Sequence, residues 1–356
     1  MSDARADAAG KADFSAARWR APSMQHQQDG RIHKLAGETM GTNWSLSVVN
    51  AGFQTLEPVH ALVQAVLDEV IAQMSNWEPG SVISRFNASS PGSRTALPAE
   101  FAAVLGAAMH WAERSGGALD PTMGALVSLW GFGPRAQPLT PHTGDRPPDD
   151  AVLCLLGQSG YGQLPWRPGQ PWLEQPGSLQ LDLCGIAKGF AVDWVVQRLR
   201  QEGWASGLFE IGGELRGWGE RPDGRPWRIQ LGSGGVDAPM AVALRDGALA
   251  TSGDYWHHFF SDGKRYSHTI DPRTGSPIEH GLASVTVHHD ECMHADALAT
   301  VLTVMGAKEG MEFARSNDIA AVFREHPPLQ DHACGGLGQS CAGALLSPAW
   351  KARFAT

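Results

Sequence analysis

Between residues 42 and 49, apolar Trp44, Leu46 and Val48 alternate with Asn43, Ser45 and Ser47. This is the two-residue period of a strand with one face buried, in a chain whose order is expected to begin near Arg31. The next apolar set changes period. Val59, Leu62, Val63, Val66, Val70 and Met74 share one helical face, and Pro58 suits the first turn, where no N–H is required. A second amphipathic helix is predicted from Ala99 to Arg114, closed by Gly116 and Gly117, and a shorter apolar stretch from Pro121 to Trp130 stops at Gly131-Phe132-Gly133-Pro134. Residues 135 to 180, rich in Pro, Gly and Asp, predict an exposed loop, a short helix near 149 to 157 and a hairpin. From Ala187 a helix with Phe190, Val195 and Leu199 runs to Gly203. Short strands follow near 207 to 211, 226 to 232, 239 to 245, 265 to 270 and 282 to 289, and then a helix that contains Asp296 and stops at Gly306. Strands in succession, punctuated by separated helices and without an internal repeat, predict an α+β fold of mixed, largely antiparallel sheets flanked by helices.

Bulk properties narrow the picture. A chain of 356 residues can bury a sizeable core, and 42% hydrophobic with 18% charged residues reads as globular. A net charge of -9 argues against a general nucleic-acid or anionic-membrane surface. No stretch approaches the roughly 20 apolar residues that span a bilayer. Residues 1 to 30, polar, Ala-rich and broken by Pro22, are expected to be a disordered leader, and residues 31 to 356 could make one large domain or two modest ones. The cysteines, 154, 184, 292, 334 and 341, are odd in number and form no dense framework. Residues 326 to 343 cluster Cys and Gly and read as a loop inserted before the closing LLSPAW segment, where Cys334 and Cys341 could pair or meet a partner.

Candidate chemistry gathers in three places. In DLCGIAKGF, Gly185 and Gly189 flank Ala187-Lys188, so backbone can approach a ligand while Lys188 offers a point charge to phosphate. Asp182 adds an acceptor for a ribose or base, and the tight Cys184-Gly185 turn leaves carbonyls open to a metal. The plainer alternative is a strand-to-helix turn with a solvated lysine. In HADALAT, Asp296 and Thr300 are four residues apart, so carboxylate and hydroxyl share a helix face and can reach one hard cation such as Mg2+. A helix cap and a hydroxyl bonded back to its own helix are the plainer readings of that pair. The third place is ATSGDYWHHFFSDGKRYSHTIDPRTG, read as a Thr-Ser-Gly turn, a strand through Tyr266 to Ile270 and a reversal at Asp271-Pro272-Arg273-Thr274-Gly275. His268 sits just before that reversal, where its ordinary pKa near 6.5 suits proton transfer. His257, His258, His288 and His289 compete with it, but adjacent histidines on alternating faces cannot all serve one centre. Cys184 reads as a buried structural thiol with no activating base nearby.

The strings TMGTNWSLSV, MSNWEPGSVISRFN, ALDPTMGALVSLWGFGP, LDLCGIAKGFAVDWV, EIGGELRGWG, ATSGDYWHHF, YSHTIDPRTG and HADALATVLTVMG occur in this order. Together they resemble the ApbE family, the FAD:protein FMN transferases, over roughly residues 36 to 323 and the short end segment. The resemblance implies a T-fold-like single catalytic domain and a magnesium-dependent enzyme. Such an enzyme binds FAD, cleaves its diphosphate and passes FMN to a Thr or Ser hydroxyl of an acceptor flavoprotein, releasing AMP. It also implies cofactor contacts at Met40, Trp77 (where tyrosine is common), Ala118, Leu119, Asp120, Asp182, Lys188 and Ile270. Magnesium ligands are implied at the Gly185 carbonyl, Asp296 and Thr300, and His268 as the base that activates the acceptor hydroxyl. An FAD pyrophosphatase and a non-catalytic FAD-binding accessory protein are the alternatives. Many members are exported lipoproteins with a lipidated cysteine near the start, whereas the first cysteine here is Cys154. The expectation is therefore cytoplasmic for the sequence as it stands, and periplasmic if an export signal has been removed.

Overall fold

A computed structural model describes residues 31–134, 146–232, 240–253, 258–261, 264–326 and 344–354. The expected leader, His257, and the Cys/Gly-rich insert beyond His326 with Cys334 and Cys341 lie outside the described residues. The chain opens with β1 (Ile32–Thr39) and β2 (Thr42–Val49), then α1 (Glu57–Met74), α2 (Val82–Asn87), β3 (Arg94–Ala96), α3 (Ala99–Arg114), α4 (Gly124–Leu129), α5 (Asp149–Gln158) and β4 (Trp172–Glu174). Next come α6 (Ala187–Gln201), β5 (Gly207–Ile211), β6 (Glu214–Trp218), β7 (Trp227–Leu231), β8 (Met240–Leu244) and β9 (Gly247–Gly253). The last third holds β10 (His258–Ser261), β11 (Lys264–Ser267), β12 (Ile270–Asp271), β13 (Ser276–Pro277), β14 (Leu282–His289), α7 (Cys292–Ser316), β15 (Ala320–Glu325), β16 (Leu345–Leu346) and α8 (Pro348–Phe354).

The principal sheet runs β1-β2-β5-β6-β9-β14-β15-β16 with every neighbouring pair antiparallel, which gives the expected α+β class. Both its faces are covered. Trp44, Leu46 and Val48 of β2 and Phe209 and Ile211 of β5 point to a core shared with α1, α3, α6 and α7. Leu215, Leu249, Ala320 and Val322 point the other way, to the β7–β8 hairpin and to Trp350 of α8. Removal of this apolar surface from water is the main force that closes the layers. Among the described residues no helix is long and apolar enough to cross a membrane.

The structure corrects several local expectations. Among the described residues of 135 to 180 no hairpin forms, and β4 pairs instead with the distant β3, Arg94 against Glu174, with a 3.0 Å ion pair across that register and Leu173 buried beneath it. Thr251-Ser252-Gly253 form no turn, because β14 takes them into the sheet as the end of β9. The strand expected through Tyr266 to Ile270 breaks after Ser267, whose hydroxyl accepts a hydrogen bond from the Thr269 amide at 3.2 Å. A local side-chain bond of that kind competes with ladder pairing, and Ile270 starts the separate β12–β13 pair. The α7 helix, expected to stop at Gly306, is only interrupted there (φ 76°) and resumes to Ser316.

Candidate active site

One cavity of about 1230 Å³ opens where the β1–β2 and β5–β6 hairpin turns, the start of α6 and the inward side of α7 converge. It is larger than the roughly 300–1,000 Å³ typical of small-ligand pockets.

One corner of it is built by α6 and α7. The segment before α6 is anchored on both sides: the Leu181 amide donates to Asn87 Oδ1 at 2.7 Å and the Asp182 amide to the Pro121 carbonyl at 2.8 Å. Asp182 Oδ1 then accepts from the Cys184 amide at 2.8 Å, and the Ala187 amide reaches the Leu183 carbonyl at 2.9 Å, so the chain curls straight into the helix. Gly185 lies so close to α7 that a Cβ there would stand 3.0 Å from Thr300 Oγ1. The Gly189 amide donates to Asp296 Oδ2 at 2.9 Å, and a Cβ on Gly189 would fall 2.3 Å from the Cys292 carbonyl oxygen. The glycines of DLCGIAKGF thus let α7 approach, and the carboxylate and hydroxyl of HADALAT arrive at the Gly185 turn.

The electrostatics of that corner depend on a residue the sequence reading left without a role. Glu214, buried at the first position of β6, forms an ion pair with Lys188 at 2.5 Å. Burial pushes the Glu214 carboxyl up to about 8, with Lys188 opposing and the Asp296 charge adding to the rise. Burial disfavours the Lys188 ammonium, yet Glu214 and Asp296 hold it above the ordinary lysine range. Burial likewise raises Asp296. Two buried carboxylates therefore face one ammonium, an arrangement that a further cation would relieve. Among the described residues no three His, Cys, Asp or Glu side chains form a metal-holding group. The candidate donors are one carboxylate, one hydroxyl and one main-chain carbonyl, an all-oxygen set suited to a hard cation that keeps waters or phosphate oxygens as its other ligands.

Around this corner the cavity collects the other residues singled out from sequence. Met40 (φ 48°) and Gly41 (φ 71°) make the tight β1–β2 turn at its edge, both left-handed as a two-residue hairpin with the right twist requires. Trp77 lines the rim with 57% of its surface exposed, a flat aromatic face open to a planar ring. Ala118 and Leu119 are buried in the wall beside Asp120. The Asp120 carboxylate is occupied by the fold, accepting from the amide and hydroxyl of Thr122 at 2.8 and 2.6 Å and from the Tyr161 amide at 2.8 Å.

His268 and Ile270 close the remaining side, and His268 is the histidine that lines the cavity among the described residues. An aromatic group supports it. Phe259 stacks on Tyr266 with centroids 5.0 Å apart, Tyr266 on Trp130 at 5.8 Å, and Phe132 meets the His268 ring edge-on at 6.2 Å. Cys184 departs from expectation: it is exposed on the cavity wall, not buried. The surrounding protein and the Asp182 charge push its thiol well up.

Glu210 was also missed. It accepts from the Gly213 amide at 2.9 Å and the Ser45 hydroxyl at 3.2 Å, and with Glu214 it flanks a Gly212-Gly213 turn. Acidic residues on both arms of a two-glycine hairpin, E-I-G-G-E, were the available signal.

Fold and cavity together define a class: an α+β protein that holds an oxygen-donor cradle and a lysine paired with a buried glutamate at one end of a large cleft, with a histidine on its far side. Residues 40–323 match the model of the ApbE family, and the chain belongs to that family. It is 38% identical over 297 residues to the FAD:protein FMN transferase of Vibrio cholerae serotype O1, covering 82% of this chain and 87% of that protein. The FAD:protein FMN transferase of Haemophilus influenzae is 35% identical over 306 residues, 83% of this chain and 86% of that one. Among solved structures, the flavinyl transferase ApbE of Pseudomonas stutzeri superimposes with a TM-score of 0.77 at 34% identity, covering 91% of this chain and 97% of that chain.

Proposed function

We propose that this chain transfers FMN from FAD to a Thr or Ser hydroxyl of an acceptor flavoprotein, with residues 31 to 356 acting as one catalytic domain. The acceptor oxygen bonds to the FMN-side phosphorus, the bond from that phosphorus to the bridging oxygen breaks, and AMP departs with that oxygen. The observation that carries this reading is the approach of Gly185 and Gly189 to Thr300 and Asp296 inside a cavity that also holds His268.

FAD lies against Met40, Trp77, Ala118, Leu119, Asp120, Asp182, Lys188 and Ile270, with Trp77 offering a stacking face and Lys188 a positive charge near the diphosphate. Mg2+, held by the Gly185 carbonyl, Asp296 and Thr300, would supply charge neutralisation on the diphosphate oxygens, the larger part of phosphoryl-transfer catalysis. Glu214 holds Lys188 in place through their ion pair. His268 takes the proton of the acceptor hydroxyl.

Incubation with FAD, Mg2+ and a fragment of a covalent flavoprotein, followed by mass spectrometry, tests the reading. A fragment heavier by one phosphoester-linked FMN, with AMP in equal amount, is expected. Free FMN and AMP without an adduct would mark a pyrophosphatase, and FAD retained without AMP release would mark an accessory protein.

A further inference from the structure

We propose that Asp193 is a positioning residue for the cation cradle: it ties the first turn of α7 to α6 and thereby fixes where Asp296 and Thr300 stand. The inference rests on the cradle described above, but its physical basis is separate from the metal. The first N–H groups of any helix lack intrahelical acceptors, and Glu291, at the N-cap of α7, makes no capping bond. The acceptors come from another helix. Asp193 Oδ1 takes the Cys292 amide at 2.9 Å and Asp193 Oδ2 takes the Met293 amide at 2.9 Å. A carboxylate is also the charge favoured at the positive end of the α7 dipole.

On its other side Asp193 pairs with Arg216 of β6, and both side chains are largely buried. One carboxylate therefore joins a strand, the helix it sits on and the start of a second helix. Gly189, one turn earlier on the same face of α6, admits the Cys292 carbonyl where a Cβ would stand 2.3 Å away. That close approach lets the short aspartate side chain span the gap. At about 1.5 Å rise per residue, Asp296 and Thr300 lie only ~6 and ~12 Å along α7 from Cys292, so a displaced first turn displaces both. Mg2+ demands near-ideal octahedral geometry, which makes it sensitive to such a shift.

Asp193→Asn tests this, because the variant keeps the size but loses the charge and sets an amide nitrogen against an N–H donor. Hydrogen exchange on the metal-free full chain is expected to show faster exchange at 292–296 with the principal sheet protected as in the parent. In the FMN-transfer assay the Mg2+ concentration for half-maximal rate is expected to rise about 10–100-fold, with saturating Mg2+ recovering much of the parent rate and the KM for FAD changing less. Parental protection at 292–296, or a parental Mg2+ requirement accompanied only by a lower melting temperature, would overturn the proposal. Should Asp193→Asn fail to fold, Asp193→Glu keeps the charge, moves the acceptors by one methylene, and is decided by the same readouts. If Asp296→Ala leaves Mg2+ dependence intact, the cradle itself is wrong, and the metal-free exchange decides the Asp193 tie alone.

Discussion

An edge-on contact with Phe132 packs the imidazole of His268, the proposed base, against the aromatic group of the cavity wall. His268→Ala is expected to slow FMN transfer by about 10²–10⁴-fold while FAD affinity stays near the parent value. Single-turnover AMP release and FAD titration measure the two effects, and a parental rate would remove His268 as the base. His288 behaves differently. It is buried on β14, a Cβ on Gly247 would stand 2.8 Å from its Nε2, and that nitrogen has no hydrogen-bond partner among the described residues. Burial, aided by the Arg353 charge, lowers its pKa to about 4, with Asp290 opposing. Between about 4 and the ordinary 6.5 the unfolded chain binds this proton more readily than the folded one. The stabilisation is therefore complete above pH 6.5 and is lost as pH falls towards 4. Melting curves from pH 7 to 4 should show a shallower acid decline in His288→Leu than in the parent; parallel declines would show that His288 is not held neutral. Candidate residues inside contiguous motifs were singled out, Asp296 and Thr300 by their spacing and most of the others through the family resemblance. Glu214 and Asp193 were not, since Asp193 meets its amides 99 and 100 residues away and leaves no local pattern.

The same contrast holds for whole elements. Helices with a clear apolar stripe, α1 and α3, and strands β5 and β14 fall where periodicity places them. β6 and β9 were missed because their burial does not alternate: Glu214–Trp218 and the first half of Gly247–Gly253 are buried on both sides by helices and the β7–β8 hairpin. The pairing of β3 with β4 is non-local and has no turn signal to announce it. The α6–α7 contact rests on glycines that the sequence reads as admitting a ligand, and it can be tested with them. Gly189→Ala would push a Cβ against the Cys292 carbonyl at 2.3 Å and against Asp296 Cβ at 2.8 Å. Overpacking of this kind costs about 1–3 kcal/mol, which exceeds the ~1 kcal/mol that alanine gains over glycine in a helix. Gly157, inside α5 with open space around its Cα, is the matched control, and Gly157→Ala should gain up to about 1 kcal/mol. Calorimetry of the pair gives opposite signs if helix approach decides the outcome, and equal gains would show that α6 and α7 are not in forced contact.

At the scale of the molecule, the sheet order carries the logic that single motifs cannot. Placing β2 beside β5 and β6 beside β9 sets the Met40 turn and the Gly212-Gly213 turn along one margin, while α6 and α7 cross the sheet together behind them. The family strings name candidate residues, and the topology brings strings more than a hundred residues apart to one cavity. A shared cavity has a thermodynamic consequence. If the diphosphate of FAD and the cradle at Asp296 and Thr300 meet the same Mg2+, then Mg2+ must tighten FAD binding by the factor by which FAD tightens Mg2+ binding, because the coupling free energy is reciprocal. Each ligand should also raise the melting temperature, by about 2.7 kcal/mol of stability at a hundred times its dissociation constant. Titrations of FAD with and without Mg2+, and of Mg2+ with and without FAD, are expected to give one common factor above unity in the parent. In Asp296→Ala the factor should fall to one while FAD alone still stabilises the protein, since the surfaces offered by Trp77, Met40 and Ile270 remain. A factor of one in the parent would mean that the metal and the diphosphate do not share a site, and a persistent factor in Asp296→Ala would move the metal elsewhere in the cavity.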